Sequence, residues 1–151
     1  DEIDLNAITK QGNDLTEEEK QKIRLKDKFI AQLKNADKIV VTFPMWDFGI
    51  PAILKAYIDH VIIAGKTFQY GDKGPEGLLK NKKICFISAS GGDYSNMPEM
   101  DMATNYLKIV FGFIGITEQI ETKIGGVTVT ENFEERWNKV VEETRNKAKI
   151  F

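Results

Sequence analysis

The chain has 151 residues and 17.1 kDa, 42% hydrophobic and 29% charged, which bounds it to one ordinary globular domain. Twenty-one basic and 23 acidic side chains leave a net charge of −2, so no general electrostatic pull toward nucleic acid or an anionic membrane surface exists. A single cysteine, Cys85, and a single histidine, His60, exclude an internal disulfide, leave too little for a zinc site or a Ser-His-Asp triad, and make a reducing, cytoplasmic setting the default.

In chain order, Asp1–Leu5 alternates apolar and polar residues and predicts a short strand. Residues 6–14 are polar, contain a glycine and read as loop. Thr16 and Glu19 form a capping-box pattern, so a helix follows with Ile23, Phe29, Ile30 and Leu33 toward one face. Lys38–Phe43 is a continuous β-branched run, the pattern of a strand buried on both faces of a parallel sheet. Residues 44–50 predict a turn. Pro51 suits the start of the next helix, whose apolar face is Ile53, Leu54, Tyr57, Ile58, Val61 and Ile62, with Gly65 as its C-terminal cap.

Lys66–Gly77 reads as an exposed aromatic loop with Phe68 and Tyr70. Lys83–Ser90 is a second buried strand, broken by Gly91 and Gly92. A helix over Glu99–Phe113, a more polar, edge-like strand over Ile116–Ile124 and a final helix over Asn132–Lys149 complete the chain. Alternating strands and helices imply a parallel sheet covered by helices on both sides. No membrane partner is expected, because no apolar run nears the roughly 20 residues a spanning helix needs.

Ligands of such sheets bind at the carboxyl ends of the strands, here Pro44–Gly49, Ala89–Tyr94 and the Gly125-Gly126 turn. The first end, Pro44–Gly49, is unusually apolar for a connecting loop. Trp46 and Phe48 there either pack on a planar ligand or cover the core, and the turn amides can donate to an electron-rich ring edge. The second end, Ala89-Ser90-Gly91-Gly92-Asp93-Tyr94, either lets a ligand approach the backbone closely or is a plain turn. Phe68, Tyr70 and Phe113 form a pocket roof, a dimer surface or satellite packing. His60 reads as a rim residue and Cys85 as inert strand packing. Neither a phosphate loop of the Gly-x-x-x-x-Gly-Lys type nor a Gly-x-Gly-x-x-Gly fingerprint is present.

The stretch Pro44-Met45-Trp46-Asp47-Phe48-Gly49-Ile50-Pro51 resembles the Pro-Met-Tyr/Trp-Asn-Phe signature of FMN-dependent NADH-azoreductases, which belong to the flavodoxin-like NAD(P)H:quinone oxidoreductases. Ala64–Tyr70, Gly74–Leu78 and Phe111–Thr117 agree with that family in order and spacing, and Ser90-Gly91-Gly92 falls at its second flavin loop. The resemblance implies a flavodoxin-like three-layer αβα sandwich with strand order 2-1-3-4-5, usually a homodimer with FMN at the dimer interface. It places Met45, Trp46, Asp47 and Phe48 along the isoalloxazine ring, and Ala89, Ser90, Gly91 and Gly92 in the other flavin loop. Tyr70 and Phe113 would flank the substrate pocket, from either subunit, and Tyr94 would sit near its mouth.

Asp47 departs from the family's asparagine: ionised, it accepts but does not donate, and capping of the following helix is its other reading. Ala89-Ser90 replaces the common Ser-Arg pair. The family also begins with a strand, a serine-rich FMN-phosphate loop and a helix ahead of the part matching Asp1–Leu5. The expectation is therefore an N-terminally truncated single domain lacking the first, central strand. The implied reaction is hydride transfer from NADH or NADPH through FMN to a quinone or azo compound, with ping-pong kinetics and no catalytic side chain, since the cofactor carries the chemistry. The alternatives are a flavodoxin-like electron carrier and a non-catalytic fragment that has lost FMN.

Overall fold

The computed structural model describes residues 15–129 and 131–151, and the strand expected over Asp1–Leu5 lies outside them. Helix α1 spans Glu17–Asn35 and opens with the capping box: the Glu19 amide donates to Thr16 Oγ1 at 3.2 Å and the Thr16 amide to Glu19 Oε2 at 2.7 Å. Two otherwise orphaned donors are satisfied reciprocally, which fixes where the helix starts. Ile30 and Leu33 enter the core from this helix.

Strand β1 (Lys38–Pro44) leads to helix α2 (Ala52–Val61), then to the short strands β2 (Phe68–Gly71) and β3 (Gly74–Gly77). Strand β4 (Lys83–Ala89), helix α3 (Met102–Phe113), strand β5 (Glu118–Ile124) and helix α4 (Phe133–Ile150) follow. The main sheet is parallel with order β1-β4-β5, in unbroken register from Lys38↔Lys83 to Pro44↔Ala89 and from Lys83↔Glu118 to Ala89↔Ile124. That is the 3-4-5 half of the order 2-1-3-4-5. Helices α1, α2 and α3 cover the face carrying Phe43, Ile84 and Phe86, where Ile58, Leu107 and Phe111 are buried with them. Each such side chain removed from water contributes about 1.5–3 kcal/mol. Helix α4 lies on the opposite face, over Ile87, Thr122 and Ile124, completing three layers.

Five expectations need correction. The run 38–43 is not buried on both faces: its exposure alternates and Val40 is 55% exposed. The reason is position, because β1 is an edge strand among the described residues and α4, on the face of Val40, covers β5 at the far edge of the sheet. The expected loop 66–77 is a two-stranded antiparallel hairpin, pairing Phe68↔Gly77 and Gly71↔Gly74. Pro51 opens α2 as its N-cap, as expected, but Ile53, placed on the apolar face, is 82% exposed. The helix cap at the other end is Ile62, with Gly65 three residues beyond it. The helix expected from Glu99 splits into a 3-10 turn at Pro98–Met100 and α3. Asp101 (φ −83°, ψ 69°) breaks it there and caps the second part by accepting from the Thr104 amide at 2.9 Å.

Candidate functional site

Parallel strands end side by side, so the loops after β1, β4 and β5 converge on one edge of the sheet. The first loop is a tight turn. The Gly49 amide donates to Trp46 O at 2.8 Å and the Trp46 amide to Gly49 O at 3.1 Å. Asp47 (φ 48°) and Phe48 (φ 65°) between them are both left-handed, the backbone that type I′ turns require. Asp accepts this conformation readily, whereas Phe pays about 1 kcal/mol or more for it. The Asp47 and Phe48 amides donate to nothing among the described residues. Trp46 is 62% exposed, so it does not cover the core. Asp47 does not cap α2, whose N-cap makes no side-chain hydrogen bond.

The second loop is tied to the other two. The Met45 amide donates to Ala89 O at 2.8 Å, and the Ser90 amide to Ile124 O at 3.0 Å. Ser90 Oγ donates to Gly92 O at 2.8 Å, closing the turn on itself. The edge of the Tyr94 ring meets Phe48, centroids 5.7 Å apart at 74°, so first and second loops touch through two aromatics. Gly92 allows this: a Cβ there would lie 2.9 Å from the Tyr94 ring. A cleft of about 400 Å³ opens between these loops, lined among others by Met45, Ser90, Tyr94, Asp101, Glu121 and Lys123.

Charge in the cleft is internally compensated. Lys123 Nζ lies 2.7 Å from Asp101 and 3.2 Å from Glu121, which also pairs with Lys108. Burial alone would raise both carboxyl pKa values, but Lys123 and Thr104 at Asp101, and Lys108 and Lys123 at Glu121, outweigh it and hold both below the ordinary range. Burial pulls Lys123 down, and its two carboxylates more than restore it. These groups stay ionised near neutrality, so they orient and bind rather than exchange protons. Elsewhere, burial pushes the Cys85 thiol up, away from a reactive thiolate. His60 is spent on the α1–α2 seam, with Nδ1 2.7 Å from Ala56 O and its ring against Phe29.

The structure thus brings together Met45, Trp46, Asp47, Phe48, Ala89, Ser90, Gly91, Gly92 and Tyr94. It does not bring Tyr70 and Phe113 to them. Both pack on Phe68, at centroid distances of 5.5 and 4.7 Å. Phe113 closes α3, whose 12 residues carry the chain about 18 Å back from the loop edge toward the other end of the sheet. Sequence reasoning named the Gly125-Gly126 turn as the third strand end but missed its hydrogen bonds to the second loop. The Val127 amide donates to Ser90 O at 3.1 Å and Thr128 Oγ1 to Gly91 O at 2.9 Å. It also missed Arg136, which donates to three carbonyls of that loop. A basic residue in the first turn of a helix, ten residues after the Gly125-Gly126 pair, was the available signal.

The Flavodoxin_2 family, described as having a flavodoxin-like fold, matches residues 1–148. An FMN-dependent NADH:quinone oxidoreductase of Hydrogenovibrio crunogenus is 45% identical over 119 residues, covering 78% of this chain and 59% of that protein. Its counterpart numbered 2 in Halalkalibacterium halodurans is 39% identical over 152 residues, covering 97% and 73%. The azoreductase AzrA superposes with a TM-score of 0.91 at 38% identity, over 100% of this chain and 75% of the other. An FMN-dependent NADH-azoreductase of Bacillus anthracis, solved in complex with FMN, superposes at 0.84 with 34% identity, over 98% and 74%. This chain therefore spans 59% to 75% of the length of these relatives.

Proposed function

Because this chain belongs to the Flavodoxin_2 family of flavodoxin-like fold, we propose that it serves as an FMN-dependent oxidoreductase. It would take reducing equivalents from NADH or NADPH and deliver two electrons to a quinone or azo compound, the two substrates using one site in turn. The observation that carries this reading is the pairing of a left-handed turn with free amides at Asp47 and Phe48 with the Gly91-Gly92 loop beside it.

The residues fit an isoalloxazine ring. Its polar rim needs several donors at close range and its faces need flat apolar partners. The Asp47, Phe48, Gly91 and Gly92 amides are available donors among the described residues, and Trp46 and Phe48 are exposed aromatics at the same edge. FMN, when bound, supplies the two-electron chemistry. The chain's share is to hold the ring with backbone amides, set aromatic side chains at its edge and admit flat substrates beside Tyr94. Asp47 contributes its amide here, which leaves its carboxylate without a donor's role.

The partner in this reading is a second copy of the chain. Met102, Ile109 and Phe113 recur on one stripe of α3 and are 61%, 72% and 37% exposed. Ile53 on the neighbouring helix and Tyr70 on the hairpin add 82% and 76% exposed surface. Exposed apolar side chains in this number are the material of an interaction surface. A second copy is also the means of bringing Tyr70 and Phe113 to the loops from which one chain separates them. Among the described residues no helix is long and apolar enough to cross a membrane, and a cytoplasmic setting completes the reading.

The test is a visible absorption spectrum of the purified chain with added FMN, before and after anaerobic NADH. A shifted, resolved flavin band that bleaches with NADH and recovers with a quinone is the expected result. Bound flavin that NADH does not bleach identifies an electron carrier instead. A spectrum of free flavin refutes the reading.

A further inference from the structure

Arg136 stands in the first turn of α4, where the helix dipole disfavours a cation and the acidic Glu134 and Glu135 are its ordinary complement. Its helix therefore gives no reason for it. Its contacts do. Nη1 donates to Gly125 O at 3.1 Å, and Nη2 donates to Gly126 O at 3.0 Å and to Val129 O at 2.7 Å. The guanidinium lies 5.8 Å from the centre of the Phe133 ring. Gly126 is left-handed at φ 67°, and a Cβ there would come 2.5 Å from Nη1, so the loop closes directly onto the guanidinium. Nε is buried and donates to nothing among the described residues, which shows that the carbonyls, not full satisfaction of the arginine, dictate its pose.

The loop so held carries its neighbour. Val127 and Thr128 take the carbonyls of Ser90 and Gly91, and Ser90 Oγ takes that of Gly92. With all three carbonyls engaged, the Gly91 and Gly92 amides are left with no acceptor among the described residues. We propose that Arg136 is a positioning residue: it clamps the Gly125–Val129 loop, and through it sets the direction of the Gly91 and Gly92 amides. That these amides face a flavin rests on the function proposed above; the clamp itself does not.

The experiment uses the whole chain as wild type, Arg136→Met, Arg136→Lys and, as a surface control, Lys139→Gln. Residue-resolved amide hydrogen exchange is read at Ser90, Val127 and Val129, whose amides are hydrogen-bonded, and at Phe86 and Leu107 in the core. FMN affinity is read by fluorescence titration. In Arg136→Met the three loop amides exchange at least tenfold faster while the core amides keep their rates, and FMN binds at least tenfold more weakly. Lysine recovers only part of both, because one ammonium cannot reproduce a planar fork on three carbonyls. Unchanged loop exchange in Arg136→Met overturns the proposal, as does equal acceleration in loops and core or full recovery by lysine. If wild type binds no FMN, the functional reading falls and the exchange rates still decide the clamp.

Discussion

Replacing Thr67 by valine keeps the side chain's shape and removes one hydroxyl from a fully buried site. That hydroxyl donates to Val61 O at 2.6 Å and accepts from the Ile63 amide at 3.0 Å. It thereby satisfies the end of α2 and fixes where the chain turns into the β2–β3 hairpin. In Thr67→Val both backbone groups lose this partner, and each buried, unsatisfied group costs about 1–3 kcal/mol. Ile63 is only half-buried, so water recovers part of its share. The expected loss is about 2–4 kcal/mol. Urea unfolding followed by circular dichroism reads it as a midpoint about 1–2 M lower at unchanged slope, for a slope of about 2 kcal/mol per M. Thr67→Ser keeps the hydroxyl and loses only a methyl, so it should cost about 1 kcal/mol. If valine costs less than about 0.5 kcal/mol, or serine costs as much as valine, the hydroxyl does not hold this joint and the reasoning is refuted.

Gly77→Ala places a Cβ 2.2 Å from the Gly115 nitrogen and 2.3 Å from the Ile114 carbonyl carbon. Backbone cannot swing aside as a side chain can, so a loss of roughly 3 kcal/mol is expected by the same unfolding assay. Gly92→Ala strikes the far end of the Tyr94 ring, which can move, so stability should fall by only about 0.5–1.5 kcal/mol as the Phe48 contact is lost. Gly91→Ala meets nothing nearer than Thr128 Cγ2 at 3.5 Å and should be neutral, and FMN titration should rank Gly92→Ala well below Gly91→Ala. Asp101 and Glu121 have folded pKa values depressed below 3.8 and 4.5. Depressed carboxyl values add stability that is complete above the unfolded values and is lost as pH falls through the folded ones. Stability should therefore hold above about pH 5 and decline below it. Asp101→Asn keeps a cap for Thr104 but loses the Lys123 ion pair, so the acid decline should be shallower in pH-dependent denaturant melts.

Local patterns carry their own physics, and those were legible. The Thr16–Glu19 box and the β-branched runs at 38–43 and 83–88 each specify an element through nearest neighbours. The alternation of those elements specifies a parallel sheet, and strand ends specify where a site must lie. The Pro44–Gly49 and Ser90–Gly92 motifs could thus be named as partners before any coordinates. What local patterns do not contain is which neighbour occupies each side of an element. Val40 and Phe43 belong to one apolar run, and only the sheet order makes one exposed and the other buried. Residues 66–77 pair with themselves because Gly77 closes on Gly115, a contact between positions 38 apart in sequence.

The sequence by itself determined the fold class, the two loops of the candidate site and the absence of a histidine triad, because each rests on residues adjacent along the chain. Tertiary structure alone decided that Tyr70 and Phe113 stand away from those loops and that Arg136 holds the third loop in place. Both depend on the direction in which a helix carries the chain across the sheet, and on carbonyls that acquire a direction only when the backbone folds.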